Sequence, residues 1–124
     1  MAAKILVVDD DESLRELLRM HLAAAGYEVS TAPDAIAAGY QVLKNPPDLI
    51  LSDISMPHMD GYEAARRLRA EPWGKKVVLI ALTGWGRQGD IDAARNAGFD
   101  GHLLKPVGAE ALIDLISRLR DAQR

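Results

Sequence analysis

Cysteine is absent from this 124-residue chain. That excludes disulfides and thiolate metal sites, and it suits the reducing environment of the cytoplasm, where the protein is expected. Basic blocks are also missing. Fifteen Lys and Arg face 18 Asp and Glu, for a net charge of −3, so direct binding to nucleic acid is not expected. No apolar stretch approaches the roughly 20 residues that cross a bilayer, and the N-terminus lacks a signal-peptide pattern, so no membrane insertion is expected. Low-complexity tracts, linkers and internal repeats are lacking. The three histidines, at positions 21, 58 and 102, form no pair at the i, i+4 spacing of a helical metal site. What remains is an ordinary globular composition, 48% hydrophobic and 27% charged, at a length that fits one domain over residues 1–124.

The run ILVVDDDES poses the central problem. Four apolar residues, Ile5 to Val8, read as a buried strand, and Asp9, Asp10, Asp11 and Glu12 follow at once. Two like charges about 4 Å apart repel by roughly 4 kcal/mol at an effective dielectric of about 20. Asp11 and Glu12 read simply as acids at a helix start, where the macrodipole favours them. Asp9 and Asp10 need something to offset their repulsion.

Short apolar runs then alternate with helical patterns. After a first strand at Lys4–Val8, Ser13 is the expected N-cap of a helix carrying Leu14, Leu17, Leu18 and Leu22, stopped by Gly26. A short strand over 28–31 precedes a helix capped by Asp34 and carrying Ile36, Tyr40 and Leu43, which ends before Pro46 and Pro47. The third strand, 49–52, runs into Asp53. The loop ISMPHMDG leads to a helix over 62–70, with Gly61 permitting the turn. A fourth strand at 77–82 stops at Thr83-Gly84, and a helix over 88–97 stops at Gly98. The fifth strand, 101–104, ends at Lys105-Pro106, and a last helix carries Leu112, Leu115, Ile116 and Leu119. Five βα units whose strands are apolar throughout predict a doubly wound parallel sheet with helices on both faces. In such sheets function gathers at the carboxyl ends of the strands.

Those ends carry Asp9, Asp10 and Asp11, then Asp53, then Thr83 with Gly84, then Lys105. Parallel topology brings them to one edge. Carboxylates without Cys or His suit a hard cation, and Mg²⁺ takes one or two protein carboxylates with waters and phosphate. Such an ion offsets the acid repulsion and neutralises charge on a phosphoryl oxygen. Lys105 adds a second cation, Thr83 a hydroxyl donor, and Gly84 a close backbone approach. Asp53, alone at the end of the central strand, is placed to be a nucleophile, since aspartate forms acyl phosphates.

VVDDDES, LILSDISMPHMDGYE, ALTG and GHLLKP, in this order and each at an expected strand end, resemble the receiver domain of two-component response regulators, over nearly the whole chain. The resemblance implies a flavodoxin-like five-stranded sheet in the order 2-1-3-4-5. It implies that Asp53 accepts a phosphoryl group from the phosphohistidine of a histidine kinase or histidine phosphotransfer protein. It assigns Mg²⁺ to Asp10 and Asp53 directly, to Asp9 through water, and to the carbonyl of Ser55. Thr83 and Lys105 become the phosphoryl-sensing pair, and the Lys105–Pro106 bond is expected to be cis. The segment ALTGWG…AGFDGHLLKPV is closer to hybrid-kinase receivers than to transcriptional ones. With no output segment after the last helix, a stand-alone receiver and one cut from a hybrid kinase both fit.

One position departs from the pattern. Receivers commonly carry Tyr or Phe three residues before the active lysine as a switch ring, and here that residue is His102. It is smaller and can carry charge. Trp85, two residues after Thr83, reads as a partner contact, a shield over the acyl phosphate, or simple packing. Met56, Pro57 and Met59 read as a stiff loop packing over the site. An aspartyl-nucleophile phosphatase is the competing enzyme reading, but it needs a second acid where Ser55 stands. A degenerate binding module would have lost Asp53 or Lys105, and both are present. The expected protein is therefore a phosphorylation-controlled switch rather than an enzyme, and its oligomeric state is not legible.

Overall fold

The computed structural model describes residues 3–54, 61–84 and 88–122. Its strands are β1 (Lys4–Val8), β2 (Glu28–Ala32), β3 (Leu49–Asp53), β4 (Val78–Thr83) and β5 (Gly101–Leu104). Between and after them run α1 (Glu12–Ala24), α2 (Ala35–Lys44), α3 (Gly61–Ala70), α4 (Gln88–Ala97) and α5 (Ala109–Asp121), with a 3-10 turn at Trp73–Lys75. All four strand pairings are parallel, in the order β2-β1-β3-β4-β5. This is the doubly wound, flavodoxin-like sheet that the strand pattern and the resemblance implied.

The apolar runs behave as strands buried on both faces should, because alternate side chains enter different cores. Ile5 and Val7 of β1 pack with Leu49, Leu51, Ile80 and the α1 and α5 residues Leu18, Leu22, Leu112 and Ile116. Leu6 and Val8 face the other way, with Ile50, Leu79, Ala65 and Phe99. Every residue of β3 and β4 is buried, including Ser52, Asp53 and Thr83. Fully burying one such Leu or Ile stabilises the fold by about 1.5–3 kcal/mol. The two central strands therefore supply a rigid base for whatever lies at their ends.

Several boundaries differ from the sequence pattern. The ladder extends each of β2, β3 and β4 by one residue, through the pairs Val8 with Ala32, Asp53 with Leu82 and Thr83 with Leu104, and β4 begins at Val78. The N-cap of α1 is Asp11 rather than Ser13. Its carboxylate accepts from the Leu14 amide at 3.2 Å, and the helix has already begun at Glu12. Asp34 caps α2 as expected, accepting from Ala37 N at 2.8 Å. Gly26 and Gly98 end α1 and α4 with φ of +98° and +113°, the left-handed conformation that glycine adopts without penalty.

On α2 the outward stripe is the apolar one. Ile36, Tyr40 and Leu43 are 60%, 67% and 77% exposed, and the residues turned inward are Ala38 and Val42. Small side chains hold this helix to the sheet. At the amino-terminal edge of the strands, Arg69 of α3 donates to the carbonyls of Gly98 (3.0 and 2.8 Å), Gly74 (2.8 Å) and Val77 (2.6 Å). It also pairs with Asp100 at 2.8 Å, whose carboxylate accepts from Leu79 N at 2.8 Å. A Cβ at Gly98 would lie 2.8 Å from Arg69 Cγ, so glycine is required there on two grounds. Among the described residues, no helix is long and apolar enough to cross a membrane.

Candidate functional site

Strand order reverses between β1 and β3, and the crevice at that reversal opens beyond their carboxyl ends. Asp9 and Asp10 leave β1 on one side, and Asp53 ends β3 on the other. Carboxylate oxygens of all three lie within 4.8 Å of one another. Asp9 is fully buried, Asp53 is 4% exposed, and Asp10 is exposed to solvent.

Lys105, following β5, answers the repulsion in this state. Its Nζ lies 3.0 Å from Asp9 Oδ2 and 3.1 Å from Asp53 Oδ2. The bond to Asp53 is well directed. Asp9 Oδ2 meets this ammonium at 3.0 Å and, although buried, makes no other directed hydrogen bond among the described residues. Its other oxygen accepts from the Asp11 amide at 2.9 Å. Burial raises the Asp9 carboxyl above its usual value. The Asp11 amide and the Lys105 ammonium act against that rise, and the Asp53 charge adds to it. Burial lowers the Lys105 ammonium, but hydrogen bonds and charge from Asp9 and Asp53 outweigh burial and leave it raised.

The backbone holds this cluster from several directions. Asp9 N donates to Ala32 O at 3.2 Å, and Lys105 N donates to Thr83 O at 2.8 Å, which ties the lysine to the end of β4. Thr83 is 3% exposed, and the Lys105–Pro106 bond is cis. A residue missed in the sequence joins here. Arg15, one turn into α1, donates from Nη1 to the carbonyl of Asp9 at 2.8 Å and pins the acidic turn. Its position four residues after the Asp11 cap was the available signal, because that spacing puts it on the first turn over the cap.

The structure thus brings together Asp9, Asp10, Asp53 and Lys105, with Thr83 bound to Lys105 through its backbone. His102 lies farther back on β5, paired with Ala81 and half-buried. It borders a hollow of about 30 Å³ with Ile91, Ala94 and Arg95. Asp11 serves as a helix cap. Ser55, the Met56–Pro57–Met59 loop, His58 and Trp85 lie outside the described residues. His21 is half-buried on α1.

Acids, an ammonium and a hydroxyl residue thus meet at the carboxyl ends of the strands of a doubly wound parallel sheet, where proteins of this class carry their functional sites. Comparison with known proteins is specific. The model of the response regulator receiver domain matches residues 5–117. The response regulator MprA of Mycobacterium sp. (strain KMS) is 38% identical over 120 residues, covering 97% of this chain and 50% of MprA. The chain therefore spans half the length of that relative. The structure of chemotaxis protein CheY4 of Vibrio cholerae matches at 34% identity and a TM-score of 0.91, over 95% of this chain and 98% of that one. The receiver domain of sensor histidine kinase PA1611 from Pseudomonas aeruginosa PAO1, which has a magnesium ion coordinated in its active-site cleft, matches at 33% identity and a TM-score of 0.85, over 95% and 97%. The chain belongs to the response regulator receiver domain family, the phospho-accepting switch of two-component signalling.

Proposed function

We propose that Asp53 is the phosphoacceptor and that transfer onto it depends on Mg²⁺. The observation that carries this is the pair of buried carboxylates sharing one ammonium, with no directed partner for Asp9 Oδ2 besides that ammonium among the described residues. An all-oxygen cluster without His or Cys fits a hard cation. Asp9, Asp10 and Asp53 would hold it, together with the Ser55 carbonyl. When bound, the ion supplies charge neutralisation at the phosphoryl oxygens.

A carboxylate oxygen of Asp53 attacks the phosphorus of a phosphohistidine. The new O–P bond forms as the N–P bond breaks, and the donor imidazole leaves. Lys105, now sharing a dianionic group instead of a carboxylate, pairs with a phosphoryl oxygen. The Thr83 hydroxyl donates to another. Drawing Thr83 to the new charge repacks β4 against β5, which is a population shift between two packings. His102 occupies the switch position on β5. Chemical shifts on β5 and α5 that respond to phosphorylation identically in wild type and His102→Ala would remove His102 from this role.

The donor is a histidine kinase or histidine phosphotransfer protein. Leu17 and Met20, 46% and 56% exposed on α1, give an apolar surface on the helix that starts at the acids, which supports a protein donor. On this reading the whole of 1–124 is one cytoplasmic receiver unit that acts as a switch. The test is intact mass after incubation with Mg²⁺ and acetyl phosphate. One phosphoryl adduct is expected, absent in Asp53→Asn and abolished by EDTA. An adduct of equal yield in Asp53→Asn would refute the assignment.

A further inference from the structure

The outward face of α2 is a helix surface without charge. Ile36, Gly39, Tyr40 and Leu43 follow at the i, i+3, i+4, i+7 spacing at which helices bury a stripe, yet all four are exposed. Ala35 to Leu43 carries no charged residue, whereas each of the other four helices carries at least three. Ile36, Tyr40 and Leu43 leave on the order of 400 Å² of side chain in water. Doubled across two copies and widened by a polar rim, such a contact reaches about 1,200 Å², the lower end of specific interfaces.

Gly39 is the second observation. It lies in the interior of α2, its φ is not positive, and a Cβ added there would meet no heavy atom within 4 Å. Neither the backbone conformation nor crowding within the chain asks for glycine, which is unfavourable inside a helix relative to alanine. A bare backbone in the middle of an apolar stripe suits the close approach of another helix.

Symmetry and charge identify that helix. At 1.5 Å rise per residue, Ile36 and Leu43 lie about 10 Å apart along the axis, and the midpoint falls between Gly39 and Tyr40. A two-fold axis there sets Ile36 level with the other copy's Leu43 in antiparallel order, and brings the two Tyr40 rings together. It also sets Lys44 level with the other copy's Asp34, the N-cap of α2. The helix dipoles then oppose, which favours the arrangement. A parallel pairing would place Asp34 beside Asp34 and Lys44 beside Lys44. We propose that two copies of this chain associate through α2, antiparallel about a two-fold axis at Gly39 and Tyr40. The inference stands independently of the phosphoacceptor reading, since none of its residues belongs to the acidic site.

Sedimentation equilibrium of the full chain, from about 5 μM to 1 mM, is the test. Expected is a monomer–dimer equilibrium with a Kd of about 10–100 μM. Leu43→Ser weakens it at least tenfold. Gly39→Leu does the same, because its side chain wedges the helices apart, while the melting temperature of the dilute protein stays at or above the parent's. Lys44→Glu weakens the dimer about fivefold at low salt, and added salt removes that difference. A monomer throughout the range overturns the proposal and leaves the stripe to a different protein. Association unchanged in Leu43→Ser overturns it by placing the contact elsewhere. Stronger association in Gly39→Leu overturns it too, because an unspecific apolar patch gains from an added leucine and a close helix crossing does not.

Discussion

Lys105→Met removes the one cation that lies, among the described residues, between Asp9 and Asp53, and keeps the length of the side chain. At 3.0 and 3.1 Å, each attraction is about 5 kcal/mol gross at an effective dielectric of about 20. Removing one member of a buried pair costs about 3–5 kcal/mol net. With the Lys105 side chain 27% exposed, solvent screening reduces the expected loss without metal to about 2–3 kcal/mol, read from urea midpoints at neutral pH. The ammonium is raised, so its contribution is complete at neutral pH and is lost in the parent only as pH rises through that raised value, above 10.5.

The same substitution has the opposite effect on metal. An incoming Mg²⁺ no longer has to displace an ammonium from its carboxylates. If half of the lost stabilisation returns on binding, affinity rises about tenfold. Calorimetric titration with Mg²⁺ should therefore show tighter binding by Lys105→Met even as phosphoryl-linked switching fails. Unchanged or weaker Mg²⁺ binding in a folded variant would refute the view that lysine and metal share these oxygens.

Asp9→Asn should stabilise the metal-free protein at neutral pH and weaken Mg²⁺ binding. Because the folded Asp9 is raised above 3.8, the native state holds the extra proton in that window, and its stability falls as pH rises through it. The gap between variant and parent in urea midpoint should be absent in strong acid and grow through the weakly acidic range. Arg69→Met should cost about 2–4 kcal/mol by urea unfolding, since it leaves carbonyls at Gly74, Val77 and Gly98 without this donor, with Mg²⁺ affinity unchanged. Asp34→Ala should cost about 1 kcal/mol through loss of the α2 cap, seen as a lower melting temperature.

Strand positions were legible because burial on both faces forces uninterrupted apolar runs, such as ILVV, LILS and VVLIALT. The strand-end residues followed from topology alone. Ser13 was a reasonable cap, but the turn out of β1 tightens around the Asp9 carboxylate, and the helix starts early enough for Asp11 to take the role. The outward turn of the α2 stripe was not legible, for a different reason. Periodicity reports a helix's apolar face without saying which side meets the sheet, and Ala38 and Val42 were too modest to compete with Ile36, Tyr40 and Leu43. Lys105 was recognised as a cation for a phosphoryl group, yet its hold on both carboxylates is a distance relation that spacing cannot carry. Arg69 in RRLR is likewise indistinguishable from its exposed neighbours until the approach to β4 and the turn after α4 meet around it.

That arginine makes the two rims of the sheet mechanically unequal. One guanidinium bolts α3, the approach to β4 and the end of α4 at the rim away from the acids. On the proposed reading, a displacement begun at Asp53 or Thr83 would meet an anchorage there, and the strands would pass the strain to the surfaces beside the acids. If that rim is as stiff as these bonds suggest, the amides of Leu79 and Asp100 should be among the last in the molecule to exchange.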